Sequence, residues 1–78
     1  MGVNQGNETS AAACRRMGWR VGTRIIGIEN GKPDIWEITA VGRDNIMKVT
    51  IKNGCEGREV QATLAHRDWT ELKEADHG

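Results

Sequence analysis

The sequence predicts a mainly β domain, a small five-stranded antiparallel barrel preceded by a short amino-terminal helix or flexible arm. Stretches between Arg24 and Leu64 alternate apolar and polar residues with period two, the mark of strands with one buried and one wet face. Turn chemistry built from Gly, Asn, Asp and Pro falls between those stretches. The rhythm breaks after Leu64 for one helical turn and resumes for a last short strand.

Residues 1–20 read as the arm. Met1–Glu8 is Gly- and Asn-rich and is expected to be disordered. Thr9 or Ser10 can then cap a helix through Ala11–Met17, with Arg15 and Arg16 in its last turn and Gly18 just past it. The barrel is expected over residues 21–73. Its first strand is Ile25-Ile26-Gly27-Ile28, where Gly27 marks a bulge or bend. Glu29–Asp34 reads as a loop, because Asn30-Gly31 supplies positive φ and Pro33 suits no central strand.

Trp36–Ala40 and Met47–Ile51 form the next two strands, joined by a hairpin at Gly42–Asn45. Asn53–Gly57 reads as a longer connection to a Val60–Leu64 strand. Ala65–Asp68 is the helical turn, Trp69–Leu72 the last strand, and residues 74–78 a disordered tail. This is the layout of SH3-like barrels, and closing the sheet in that way protects its edges.

At 78 residues the chain makes one domain, burying about 60–65% of the surface its unfolded form exposes. With three Trp and neither Phe nor Tyr, the tryptophans must supply all the aromatic bulk. The expected core is Ile26, Trp36, Ile38, Val49, Ile51, Leu64 and Trp69. Eleven basic and eleven acidic side chains cancel, which argues against a dedicated duplex-binding protein. The amino terminus has no apolar signal region, and no stretch approaches the roughly 20 apolar residues of a membrane span. A cytoplasmic protein with reduced Cys14 and Cys55 is expected.

The segments Gly22–Gly27, Trp36–Gly42, Thr63-Leu64 and Arg67-Asp68-Trp69 together resemble a group of small phage and prophage proteins of unknown role. The resemblance covers roughly Gly22 to Leu72. More loosely, the layout is similar to Tudor-type and KOW-type SH3-like barrels, which bind ligands with an aromatic cage or a basic loop. The phage resemblance implies an accessory protein acting on a host component, and it brings no catalytic residues to transfer.

No catalytic constellation is expected. His66 precedes Arg67-Asp68, but a nucleophile needs base and orienting group fixed together in a cleft, and so small a chain has little interior for one. Asp68 reads instead as a structural acceptor or a partner for Arg24. Cys14, Cys55, His66 and His77 lack the close pairing of a metal site, so no metal and no cofactor is expected. A binding surface is expected at Arg15, Arg16, Trp19, Arg20 and Arg24, with Lys48 and Lys52 on the outward face of their strand.

Three functions fit. The first is a non-enzymatic protein-interaction module that modulates a host complex, with no membrane or small-molecule substrate involved. The second is a single-stranded nucleic-acid-binding barrel, arginines gripping phosphates while Trp19 stacks on a base. The third is a structural or assembly protein, which requires self-association.

Overall fold

In the computed structural model of the chain, residues 8–64 and 68–72 are described. The elements run α1 (Ser10–Met17), β1 (Arg24–Glu29), β2 (Lys32–Val41), β3 (Ile46–Lys52), β4 (Cys55–Glu56), β5 (Val60–Ala62) and β6 (Thr70–Glu71). All ladders are antiparallel, in the order β4-β3-β2-β1-β6, and β5 pairs with β3 as well. The domain is mainly β, as expected, but among the described residues it has six strands in an open sheet. Among the described residues no ladder joins β5 to β6, so the predicted barrel is not closed. The predicted arm up to residue 7, the helical turn at 65–67 with His66, and the tail with His77 lie outside the described residues.

The extra strand comes from turn chemistry. Both Asn-Gly pairs make tight two-residue turns: Asn30 and Gly31 have φ of 54° and 78°, Asn53 and Gly54 of 53° and 79°. Such turns match the right-handed twist of the strands they join. Glu29 therefore faces Lys32, and Lys52 faces Cys55. The connection expected over Asn53–Gly57 is thus a hairpin that adds β4, and the loop expected over Glu29–Asp34 is mostly strand. Pro33 lies in central β2 after all. It sits beyond Ile35–Ile51, the last β2–β3 pair, so its missing N–H costs no ladder bond.

Helix α1 is capped as its sequence indicates. Thr9 Oγ1 accepts the Ala12 N–H at 3.0 Å, and Gly18 closes the helix with φ 79°. The helix belongs to the domain and is no free arm. Ala11, Ala13 and Cys14 join the core, Ala11 N–H donates to the Asp44 carbonyl, and the Ser10 hydroxyl accepts the Leu64 N–H at 3.0 Å.

The core gathers Trp19, Ile25, Trp36, Ile38, Ile46, Leu64 and Trp69 around that helix face. Trp36 and Trp69 stack with ring centroids 4.2 Å apart at 38°. Trp36, Ile38, Leu64 and Trp69 are where the sequence places them. Ile26 and Ile51 are not: both are half-buried and stand outside the core cluster. The register gives the reason. Ile25 pairs with Trp36, and Ile26 with Ile35, so consecutive apolar residues send one side chain to each face of the sheet. Ile25 and Ile46, both fully buried, take the predicted places of Ile26 and Ile51. Val49 is buried, but its Cα partner is Glu37, on the face away from the tryptophans. Gly27 makes no bulge; it leaves room for the Trp69 ring.

Candidate interaction surface

The structure does not assemble the predicted basic surface. Trp19 is only 3% exposed, so it offers no platform for stacking on a base. The Arg15 guanidinium reaches across to the β2–β3 turn, donating to the carbonyls of Gly42 and Arg43, each at 3.0 Å. Arg16 forms a two-pronged pair with Glu8 at 2.7 and 2.9 Å, and this holds the Glu8 carboxyl below the usual carboxylate range. Arg24 pairs with Glu37 at 3.0 Å rather than with Asp68, which is exposed.

Lys48 does not point outward either. It shares the face of Trp36, with its Nζ 4.1 Å from that ring's centroid and donating to Thr50 Oγ1 at 2.7 Å. Arg20 and Lys52 remain exposed with no ion-pair partner among the described residues. They stand at opposite ends of the sheet: Arg20 precedes the Arg24–Glu37 pair, and Lys52 follows the Ile35–Ile51 pair.

The same register builds a different surface. On the face away from the tryptophans, Ile26, Ile35 and Ile51 are successive cross-strand partners, forming one apolar row over β1, β2 and β3. All three are half-buried. One row towards the Asn30-Gly31 turn stand Ile28, 57% exposed, and its partner Pro33. One row the other way stand Arg24, Glu37 and Val49. Thr70 flanks Ile26 on β6, and Leu72 donates its N–H to the Arg24 carbonyl at 2.8 Å. Leu72 also lines a shallow hollow with Gly22, Arg24 and Glu37. The outer face is therefore apolar along its middle, with the Arg24–Glu37 pair set into it and the exposed Glu56, Cα partner of Ile51, at its β4 margin.

Sequence reading missed Ile28 and Ile35 as surface residues. The signal was present in the doublets Ile25-Ile26 and Ile35-Trp36, since a strand wet on one side alternates without doublets.

A cleft of about 410 Å³ opens between the start of α1 and β5, lined by Glu8, Ser10, Ala13, Asp44, Gln61 and Leu64 among others. The Glu8 carboxylate and the Ser10 hydroxyl in it already serve the fold through their contacts with Arg16 and the Leu64 N–H. Cys14 is fully buried, and burial pushes its thiol up to about 11 against a smaller opposing pull from the Arg15 charge. It is a neutral thiol near pH 7 and a poor nucleophile. Among the described residues no group of His, Cys, Asp and Glu could hold a metal ion, and no helix is long and apolar enough to cross a membrane.

A family model described as a domain of unknown function (DUF7241) matches residues 8–74. No curated protein and no solved structure matches the chain.

Proposed function

This chain belongs to the DUF7241 family, and from its surface we propose that it is a non-enzymatic protein-interaction module. The binding surface in this reading is the outer face of β1, β2 and β3. The observation that carries it is the row Ile26–Ile35–Ile51 with exposed Ile28 beside it. Apolar side chains standing together on a wet sheet face gain by being covered, and such patches mark contact sites. The resemblance to phage and prophage proteins supports a bacterial host protein as the partner, met in the host cytoplasm and inhibited or redirected by the contact. Single-stranded nucleic acid is the weaker reading, because Trp19 is buried and Arg15, Arg16, Arg24 and Lys48 are engaged within the fold.

The test is capture from bacterial lysate with tagged protein and its Ile28→Lys variant, each with and without nuclease. A stoichiometric protein that survives nuclease and is lost in the variant is the expected result. Recovery that vanishes with nuclease, and weakens steeply from low to physiological salt, would replace this reading with nucleic-acid binding.

A further inference from the structure

We infer that the outer face of β1 and β2 docks on a second copy of this chain, forming a weak symmetric dimer. The inference rests on the reading of that face as an interaction surface and names one occupant for it.

The argument is charge and shape complementarity under a twofold axis. In a symmetric pair, the residue that i meets on the other copy must itself meet i. Consider an axis running along the strands midway between β1 and β2, which lays each β1 over the other copy's β2. Arg24 then meets Glu37 of the second copy and Glu37 meets its Arg24, because the two are Cα partners on adjacent strands. By the same pairing Ile26 meets Ile35, and Ile28 meets Pro33. One strand further out on each side, Ile51 meets Thr70, and Leu72 lies over Val49, which is already buried in its own chain and adds little contact. Within these four strands every apolar position meets an apolar or small neutral one and each charge meets its opposite, while Glu56, the Cα partner of Ile51 on β4, falls beyond β6 of the second copy.

Other axes do worse. One running along β2 sets Glu37 on Glu37, a like-charge contact. One crossing the strands at the isoleucine row sets Arg24 on Ile28 and Glu37 on Pro33, leaving charges against apolar groups. Of these three axes, Cα register and face alternation favour the first. The zero formal net charge also removes general repulsion between copies.

The patch spans four strands and three rows, about 19 by 20 Å at standard strand spacings. Two such faces cover roughly 750 Å² before corrugation is counted, below the 1,200 Å² or so of stable specific interfaces. Sheet twist trims the contact further. The dimer is therefore weak and concentration-dependent, so a tighter partner can displace the second copy from the same face.

Sedimentation velocity from roughly 10 μM to 1 mM is the direct test, a range suited to so small an interface. The wild type is expected to shift from monomer to dimer across it. Arg24→Glu and Glu37→Arg should each weaken association at least tenfold, since one face becomes all acidic and the other all basic. Mixing these two variants should restore dimers, now of one chain of each kind. Loss of the intrachain pair alone would not produce that recovery. Ile28→Lys, at an exposed site that the fold does not need, should also weaken the dimer at least tenfold, and it decides the matter if circular dichroism shows a charge variant unfolded.

A wild type monomeric throughout overturns the inference, as does Ile28→Lys dimerising like wild type, or a mixture of folded charge variants no better than either alone. The two proposals fail separately. A monomeric wild type whose captured protein is still lost in Ile28→Lys leaves the interaction face without the dimer. A dimer sensitive to Ile28→Lys beside a captured protein indifferent to it leaves the dimer without that partner.

Discussion

The Trp69 ring lies directly over the backbone of Gly27: a Cβ added at Gly27 would stand 2.9 Å from Cε3 of that ring. The contact joins the middle of β1 to the residue just before β6, and it sets the depth to which the ring can sink. Gly27→Ala is therefore expected to cost about 1–3 kcal/mol through overpacking, since the ring is also held against Trp36 and cannot withdraw freely. Urea denaturation of the variant against wild type measures it, and a neutral result would mean that the ring slides aside.

Trp36 joins three kinds of interaction in one side chain. It stacks on Trp69, lies under the Lys48 ammonium, and donates its indole N–H to Asp34 Oδ2 at 3.1 Å. Trp36→Ala should cost roughly 3–5 kcal/mol, a large part of the stability of a domain this small. Lys48→Ala should cost about 0.5–2 kcal/mol by removing the cation from the ring. Thermal unfolding followed by circular dichroism would rank the two.

The thiols should separate cleanly. Cys55 is exposed and Cys14 fully buried, so a thiol reagent at neutral pH should titrate one group in the native protein and two in denaturant. Two fast-reacting thiols in the native state would mean that α1 opens readily from the core.

Opposite ends of the pH scale should test two ionisations. Folding raises the Cys14 value from 9.0 to about 11, so the native state keeps a proton that the unfolded chain gives up. Stability from this source is complete below about pH 9 and is lost as pH rises towards 11, by roughly 2–3 kcal/mol at most. Cys14→Ala should flatten that alkaline decline. Glu8 has the reverse sign: its pKa is lowered by the Arg16 hydrogen bond, so its contribution is present above the unfolded carboxyl value and fades as pH falls through the folded one. Denaturation of Glu8→Gln at several acid pH values should show a shallower acid decline than wild type.

Arg15 clamps the β2–β3 turn rather than a ligand. Arg15→Ala should lower stability by about 1–2 kcal/mol, the scale for hydrogen bonds from a charged donor. Single-stranded oligonucleotide titration at low salt should show no change between wild type and this variant. A loss of oligonucleotide affinity on substitution would restore the basic surface that the sequence suggests.

What the sequence made legible was whatever depends on local chemistry. A hydroxyl cap at Thr9 or Ser10 (Thr9 in the structure), the Gly18 stop and the alternation through Trp36 and Ile38 were legible because each needs only near neighbours. The orientation of β3 was not. Met47, Val49 and Ile51 look like the buried set, yet only Val49 of the three is buried, and Ile46 enters the tryptophan core while Lys48 and Thr50 take that side. Alternation marks which residues share a face, but only pairing with β2 decides which face is inside. The basic residues misled for a related reason. Their spacing suggests a patch, whereas their partners, Glu8, Glu37 and the Gly42 and Arg43 carbonyls, are brought to them by tertiary structure.

The closure of the fold by distant segments bears on synthesis. Ser10 meets Leu64 across 54 positions, and β1 waits for β6 and the Trp69 ring. A chain emerging from the ribosome forms its two Asn-Gly hairpins from neighbours already present, but until Trp69 arrives the groove over Gly27 stays empty and Trp36 lacks its stacking partner. Such long-range contacts slow folding and lengthen the time for which apolar surface is open to chaperones or to other nascent chains. The cell therefore receives a finished domain only after translation has passed β6, and a message truncated before that point yields a chain fit for proteolysis.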